Sequence, residues 1–214
     1  MTKGVYLNGV MQRMNELGWD DSLADMFLGG DSTKVERHVE ATFRDAWRKA
    51  AGVLPIHFFN RVSFKRSRSV VDASRGTGFV VLPLDFYALA LFKMKGWRRA
   101  CYAYVEENDA VASIQSNEFV RGNFCRPVCT VSVDPTHGRV LKYYSLPPGM
   151  EHVIESALYV PLVGEISGLP ANADLKLLDV LYDPLMWINA GLVFSVFEKA
   201  DAAKAADARV LEIV

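Results

Sequence analysis

Cysteine is scarce in this chain of 214 residues: Cys101, Cys125 and Cys129 are the whole supply. An odd, low number is no disulfide framework, and it suits a protein made in a reducing compartment. Neither sign of charge is in excess. With 24 basic and 25 acidic side chains the formal net charge is −1, which argues against a dedicated nucleic-acid binder or a polybasic membrane anchor and leaves only a local patch open. Long hydrophobic runs are also missing. The greasiest stretch, Leu185 to Phe197, is interrupted by Asn189, Gly191 and Ser195 and is shorter than the roughly 20 residues a bilayer requires. Met1 to Asn8 lack the apolar core of a signal peptide, so no membrane partner is expected. What is present is ordinary. Half the residues are apolar and 23% are charged, enough to bury a core without metal or disulfide.

Catalytic signatures are missing too. Gly164-Glu165-Ile166-Ser167-Gly168 has the wrong spacing for a nucleophile elbow. Arg75-Gly76-Thr77-Gly78 lacks the length and the lysine of a phosphate loop. His38, His57, His137 and His152 are scattered, and Glu106, Glu107 and Asp109 read as a solvated loop. Cys125 and Cys129 lie close to His137, but a zinc site needs four converging ligands, normally two tight pairs, and the second pair is absent. The reading is therefore of a non-enzyme, with no catalytic residue, metal or cofactor.

The patterning predicts helices at both ends and β structure between them. Leu7, Val10, Met11, Met14 and Leu17 recur at helical spacing and Gly18 follows as a C-terminal stop. A capping box of Thr33 and Glu36 opens a second helix with the stripe Val35, Val39, Phe43, Trp47 and Ala50, which Gly52 and Pro55 end. Strand or extended chain is read at Ile56–Phe59, Val62–Lys65, Gly78–Pro83, Trp97–Glu106 and His152–Val163, and a short helix capped by Asp85 at Phe86–Met94. Val128–Val133 and Arg139–Tyr144 around Asp134-Pro135-Thr136-His137-Gly138 form a hairpin. Asp174 is a candidate cap for a short helical turn, and Pro184 sits in the first turn of one long final helix running to Val214. The fold class is thus α+β. Residues 1–55 and 172–214 form a helical bundle, and 56–171 are an inserted antiparallel β-rich domain.

Two features point outward. The final helix is apolar nearly all round from Leu185 to Phe197, more surface than a small bundle covers from one side, so it is either a central helix enclosed by its own chain or one covered by a neighbouring copy. That makes Trp187, Leu192 and Phe197 candidates for packing between subunits. Between Arg61 and Arg75 the basic residues Arg61, Lys65, Arg66, Arg68 and Arg75 face the single acid Asp72. That segment is a candidate contact for an acidic protein partner or for DNA.

The order of these features resembles the head–tail adaptor and ring proteins of short-tailed bacteriophages, the group of tail tubular protein A and the ring proteins of crAss-like phages. The likeness is carried by Leu17-Gly18-Trp19, Ala46-Trp47-Arg48-Lys49-Ala50, Leu82-Pro83-Leu84-Asp85-Phe86, the stretch from Asp134 to Pro147, Ala157-Leu158-Tyr159-Val160-Pro161 and Asn189-Ala190-Gly191. It implies a structural virion protein, located at the head–tail junction or in the tail and made in the host cytoplasm. Such a subunit forms a homo-oligomeric ring, commonly of twelve copies. Its partners are the portal protein and further ring or tail proteins, and viral DNA passes through the channel. The family has no catalytic residues to carry over. A near-neutral chain fits a channel that must not grip its cargo, because each neutralised phosphate adds binding free energy.

Overall fold

The computed structural model describes residues 1–19, 33–144, 146 and 151–213, with backbone only at 33 and 34. The fold is α+β, with helices at both chain ends and antiparallel-rich sheets between them in sequence. Two compact units result: Met1–Asn60 together with Val163–Val214, and Arg61–Leu162.

The helical unit comprises α1 (Lys3–Glu16), α2 (Thr33–Val53), α4 (Asp179–Val196) and α5 (Ala200–Ile213). Gly18, at φ +80°, ends the first of these where the sequence places the stop. In α2 the predicted stripe is the buried one: Val35, Val39 and Ala50 are wholly enclosed, and Phe43 and Trp47 nearly so. The Thr33 side chain, on which the capping box rests, lies outside the described residues. Helix α4 is the axis of the unit and packs on α1, α2 and α5. Its one buried polar side chain, Asn189, is fully enclosed. Asn189 Nδ2 donates to Tyr6 Oη (3.0 Å) and to the Val39 carbonyl (3.1 Å). Its Oδ1 lies 2.6 Å from Thr42 Oγ1, which is also 2.7 Å from the His38 carbonyl. Burial drives the ionisation of Tyr6 far above its ordinary range, so the phenol stays neutral. Edge-to-face packing of Tyr6 on Phe43 at 5.3 Å completes the junction of α1, α2 and α4.

The unit boundaries fall after Asn60 and Leu162, whereas the sequence places them at 55/56 and 171/172. Backbone pairing accounts for the second shift. Lys3 and Gly4 amides donate to Ala173 and Ala171 carbonyls, each at 2.8 Å, and Lys3 Nζ donates to the Leu169 carbonyl at 2.8 Å. Residues 163–178 are thereby tied to the start of α1. At the first boundary a single 3₁₀ turn, Ile56–Phe58, replaces the expected strand. Phe59 packs edge-on to Trp47 at 5.4 Å, and the Asn60 side chain donates to the Lys176 carbonyl.

In the β unit a three-stranded sheet has the order β1-β8-β4, from β1 (Val62–Ser63), β4 (Phe86–Met94) and β8 (Ile154–Pro161). A five-stranded sheet has the order β2-β3-β7-β6-β5, from β2 (Ser69–Asp72), β3 (Thr77–Val81), β5 (Val105–Glu106), β6 (Cys129–Asp134) and β7 (Gly138–Tyr143). All pairings are antiparallel except β5 with β6. A short helix, α3 (Ala110–Ile114), follows β5, capped by Asp109, which accepts the Val111 amide at 2.7 Å. Phe64, Val80, Phe92, Met94, Leu141 and Tyr143 belong to the shared core. The predicted hairpin is present as β6 and β7. Its turn is held by Asp134 Oδ1, which accepts the Thr136 and His137 amides at 2.9 and 2.8 Å.

Other elements differ from expectation. Phe86–Met94 is a strand, not a helix. Phe86, Leu89 and Phe92 recur every third residue, a helical spacing, yet all three are buried because register shifts between Phe86 and Ala88 and between Leu89 and Leu91 turn them to the same side. Of the expected strand over Trp97–Glu106, only Val105–Glu106 forms one, and Cys101 makes a single bridge to Phe92. Asp174 caps no helix; its carboxylate accepts the Lys176 amide at 3.0 Å. The expected terminal rod is broken at Phe197–Lys199, where Glu198 takes φ +58°, and Pro184 lies inside α4 rather than at its start.

Asn189→Ala is expected to lower the unfolding free energy by about 2–4 kcal/mol, since it opens a void and takes from the buried Tyr6 hydroxyl the donor that Asn189 supplies. Urea denaturation of wild type and variant checks this. Asn189→Leu, which fills the space without restoring the bonds, should rescue little of the loss.

Candidate assembly and contact surfaces

Trp187, Leu192 and Phe197 do not share one exposed face. Trp187 is 7% exposed and lies beneath the guanidinium of Arg13, 5.6 Å from the ring centroid. Arg13 Nε in turn donates to Asp183 Oδ1 at 3.1 Å. Leu192 is half-buried. Phe197 closes the C-terminal end of α4, with its ring 5.1 Å from both Trp19 and His38. Every residue from Pro184 through Gly191, and then Val193 and Phe194, is buried by the chain itself.

Of the two covers that the sequence leaves open for this helix, the chain's own fold supplies that of residues 184–191, 193 and 194. Its physical source is the break at Glu198. As one rod, the C-terminal segment would leave α4 only the two N-terminal helices as cover. Folded back, α5 supplies the missing side. A Cβ placed on Gly191 would sit 3.3 Å from Ala206 Cβ, so the two helices meet through small residues. Lys49, paired with Asp207 at 2.7 Å, ties α2 to α5.

The basic segment forms β1, β2 and their connection. Arg61, Lys65, Arg66, Arg68 and Arg75 lie in or beside it, and all are exposed. Arg75 lies 3.8 Å from Asp72; the other four make no ion pair among the described residues. Asp72 Oδ1 accepts from the Ser74 hydroxyl (2.6 Å) and the Ser74 amide (3.1 Å), and these bonds hold its carboxyl below the usual range. The segment brings its charges to the edge of the five-stranded sheet, where β2 is exposed along its whole length. Sequence reading misses this strand: Val70-Val71, two β-branched residues within a polar stretch, is the signal that marks it.

The thiols divide. Cys101 and Cys129 meet in the β core, with Cys129 donating to Cys101, whose own thiol donates to the Pro127 carbonyl at 3.1 Å. Burial first, and then the neighbouring sulfur, push the Cys129 thiol well up. That bond also holds Cys101 below its ordinary value. Cys125 stands apart, half-buried. Among the described residues no group of three His, Cys, Asp or Glu is placed to hold a metal ion, and no helix is long and apolar enough to cross a membrane. His137 Nδ1 lies 2.8 Å from Asp134 Oδ1, and this contact together with the turn amides holds that carboxyl below its usual range. Tyr159 donates to Asp85 at 2.8 Å; burial and then the carboxylate push its ionisation up to about 12. These ionisable groups are engaged in holding turns and core.

Shallow depressions mark the β unit. One of about 680 Å³ is lined by Lys93, Arg98, Arg99, Tyr102 and Glu155, but Lys93 is neutralised by Glu155 at 2.8 Å. Another, of about 230 Å³, lies beside β2 and is lined by Val70, Val71, Phe79 and Tyr143 among others. Compared with protein-family models and with curated protein sequences, the chain matches none of either.

Trp187→Ala is expected to destabilise the single chain by about 3–5 kcal/mol through the void it leaves. Its thermal midpoint should fall by the same amount at every protein concentration. A loss that varies with dilution, followed by scanning calorimetry across a concentration series, would return Trp187 to an interface.

Proposed function

We propose that this protein is a structural virion subunit of an oligomeric ring that connects the portal vertex to the tail and surrounds the DNA channel. The observation that carries the reading is the architecture: a helical unit made from both chain ends, with an antiparallel-rich β unit inserted between them in sequence. This is the arrangement that the resemblance to head–tail adaptor and ring proteins implies. Its partners are further copies of itself, the portal protein and neighbouring ring or tail proteins, and its place is the virion. The residues of α4 from Pro184 through Gly191, with Val193 and Phe194, are covered by the chain itself, so on this reading the packing between copies uses other surfaces.

Native mass spectrometry and electron microscopy of the purified chain, alone and with portal protein, test this reading. A closed ring, alone or on the portal, is the expected outcome. A compact monomer that ignores the portal overturns it.

The guanidinium groups of 61–75 support a second use, contact with nucleic-acid phosphates. On that reading duplex DNA binds with steep salt dependence, and the double substitution R66A/R68A reduces the log–log salt slope by about 2. Binding isotherms over a salt series read this directly, and a slope unchanged by the substitutions removes it.

A further inference from the structure

The β2 edge combines three features that point to one kind of occupant. First, it is an open strand edge. β2 pairs with β3 through Ser69–Val80, Val70–Phe79, Val71–Gly78 and Asp72–Thr77, and no strand among the described residues pairs with its other side. Second, Val70 and Val71 are 37% and 39% exposed, beside an apolar-lined depression of about 230 Å³. Third, Lys65, Arg66, Arg68 and Arg75 flank it in the chain.

Phosphate contact would use the charges alone. An open backbone edge, a β-branched pair and a hollow large enough for a side chain are features that a protein segment uses. The charges also exclude one geometry. Two β2 edges brought together would place their cations against each other, so the edge cannot pair with its own equivalent, and its occupant must carry acid.

A second copy of this chain supplies that acid. The β unit, Arg61–Leu162, holds 13 basic and 9 acidic side chains, net +4, and the rest of the chain holds 11 and 16, net −5. In the helical unit, acid and apolar surface come together at the reversal between α4 and α5. Glu198 and Asp201 are exposed there and make no ion pair among the described residues, and Val196, two residues before Glu198, is 51% exposed. That pairing of carboxylates with a β-branched side chain is the complement of Arg66, Arg68, Val70 and Val71. We infer that the β2 edge is a self-assembly surface, receiving the acidic α4–α5 reversal of a neighbouring copy in a head-to-tail contact. Such a contact joins different surfaces of the two copies, so it propagates, and it closes into a ring where the rotation permits. The inference deepens the ring reading and rests on it for closure only.

The test is sedimentation velocity of the full chain over a concentration series at low salt and at about 0.5 M salt, where exposed charges are screened. The samples are wild type, R66E/R68E, E198K/D201K and an equimolar mixture of the two variants, with circular dichroism to establish folding. Wild type should associate at low salt and do so at least about tenfold more weakly at high salt. Each variant alone should lose about tenfold or more in association at low salt. The mixture should recover, because each reversed surface then meets a complementary one, and a variant that merely misfolds cannot produce that recovery. A ring persisting unchanged in R66E/R68E overturns the edge and spares the ring. Assembly through the edge into open fibres upholds the edge and overturns the ring. Wild type monomeric throughout, or loss in R66E/R68E without recovery on mixing but with loss of binding to a duplex DNA probe, overturns the edge as a protein contact.

Discussion

The helical unit depends on one buried amide. Asn189 sits wholly enclosed in an otherwise apolar helix and binds groups on two others, Tyr6 on α1 and Val39 and Thr42 on α2. An unpaired amide there would cost more than its bonds contribute, so alternative rotations or slides of α4 are penalised while the native register is not. The apolar contacts hold the helices together; the amide decides how they are set. That division of labour suits a helix that is greasy on nearly every side, since burial alone would accept many orientations.

The second constraint is the reversal at Glu198. A non-glycine residue in the left-handed region is uncommon and costs conformational energy. Here it brings α5 back along α4 through Gly191 and Ala206. The turn changes what the protein offers its surroundings. Without it, the apolar side of α4 would be an adhesive surface. With it, that side is interior, and the β unit offers features that are electrostatic and edge-like instead. The proposed head-to-tail contact uses these features, and such a contact responds to salt and to acidic partners rather than to hydrophobic area.

Much of this is legible in the residues. The stripe of α2, the stop at Gly18 and the hairpin around Asp134 and Gly138 follow from local chemistry that the tertiary structure leaves alone. Phe86–Met94 invites misreading because strand irregularities imitate helical spacing, and period is the only signal a short apolar run carries. The break at Glu198 has no glycine or proline to announce it; it is imposed by packing between α4 and α5. For the candidate surfaces, the basic segment is visible as composition, but its position at an open sheet edge is not, because β2 becomes an edge only when its neighbour β3 pairs on the other side with the distant β7. Of Trp187, Leu192 and Phe197, the first is buried within the chain because the rod the sequence suggests is folded back, and the other two stay half-buried.

The helical unit is discontinuous in sequence while the β unit is contiguous. On a ribosome the residues of α1 and α2 emerge first, yet Asn189 and the small-residue faces of α4 and α5 that complete them are made last. The β unit lies wholly between, so it can reach its native pairing while the earlier helices still wait for their other half. Pairing of the β unit therefore needs none of the residues made last, whereas the apolar stripe of α2 gains its cover from α4 only once residues 179–196 exist.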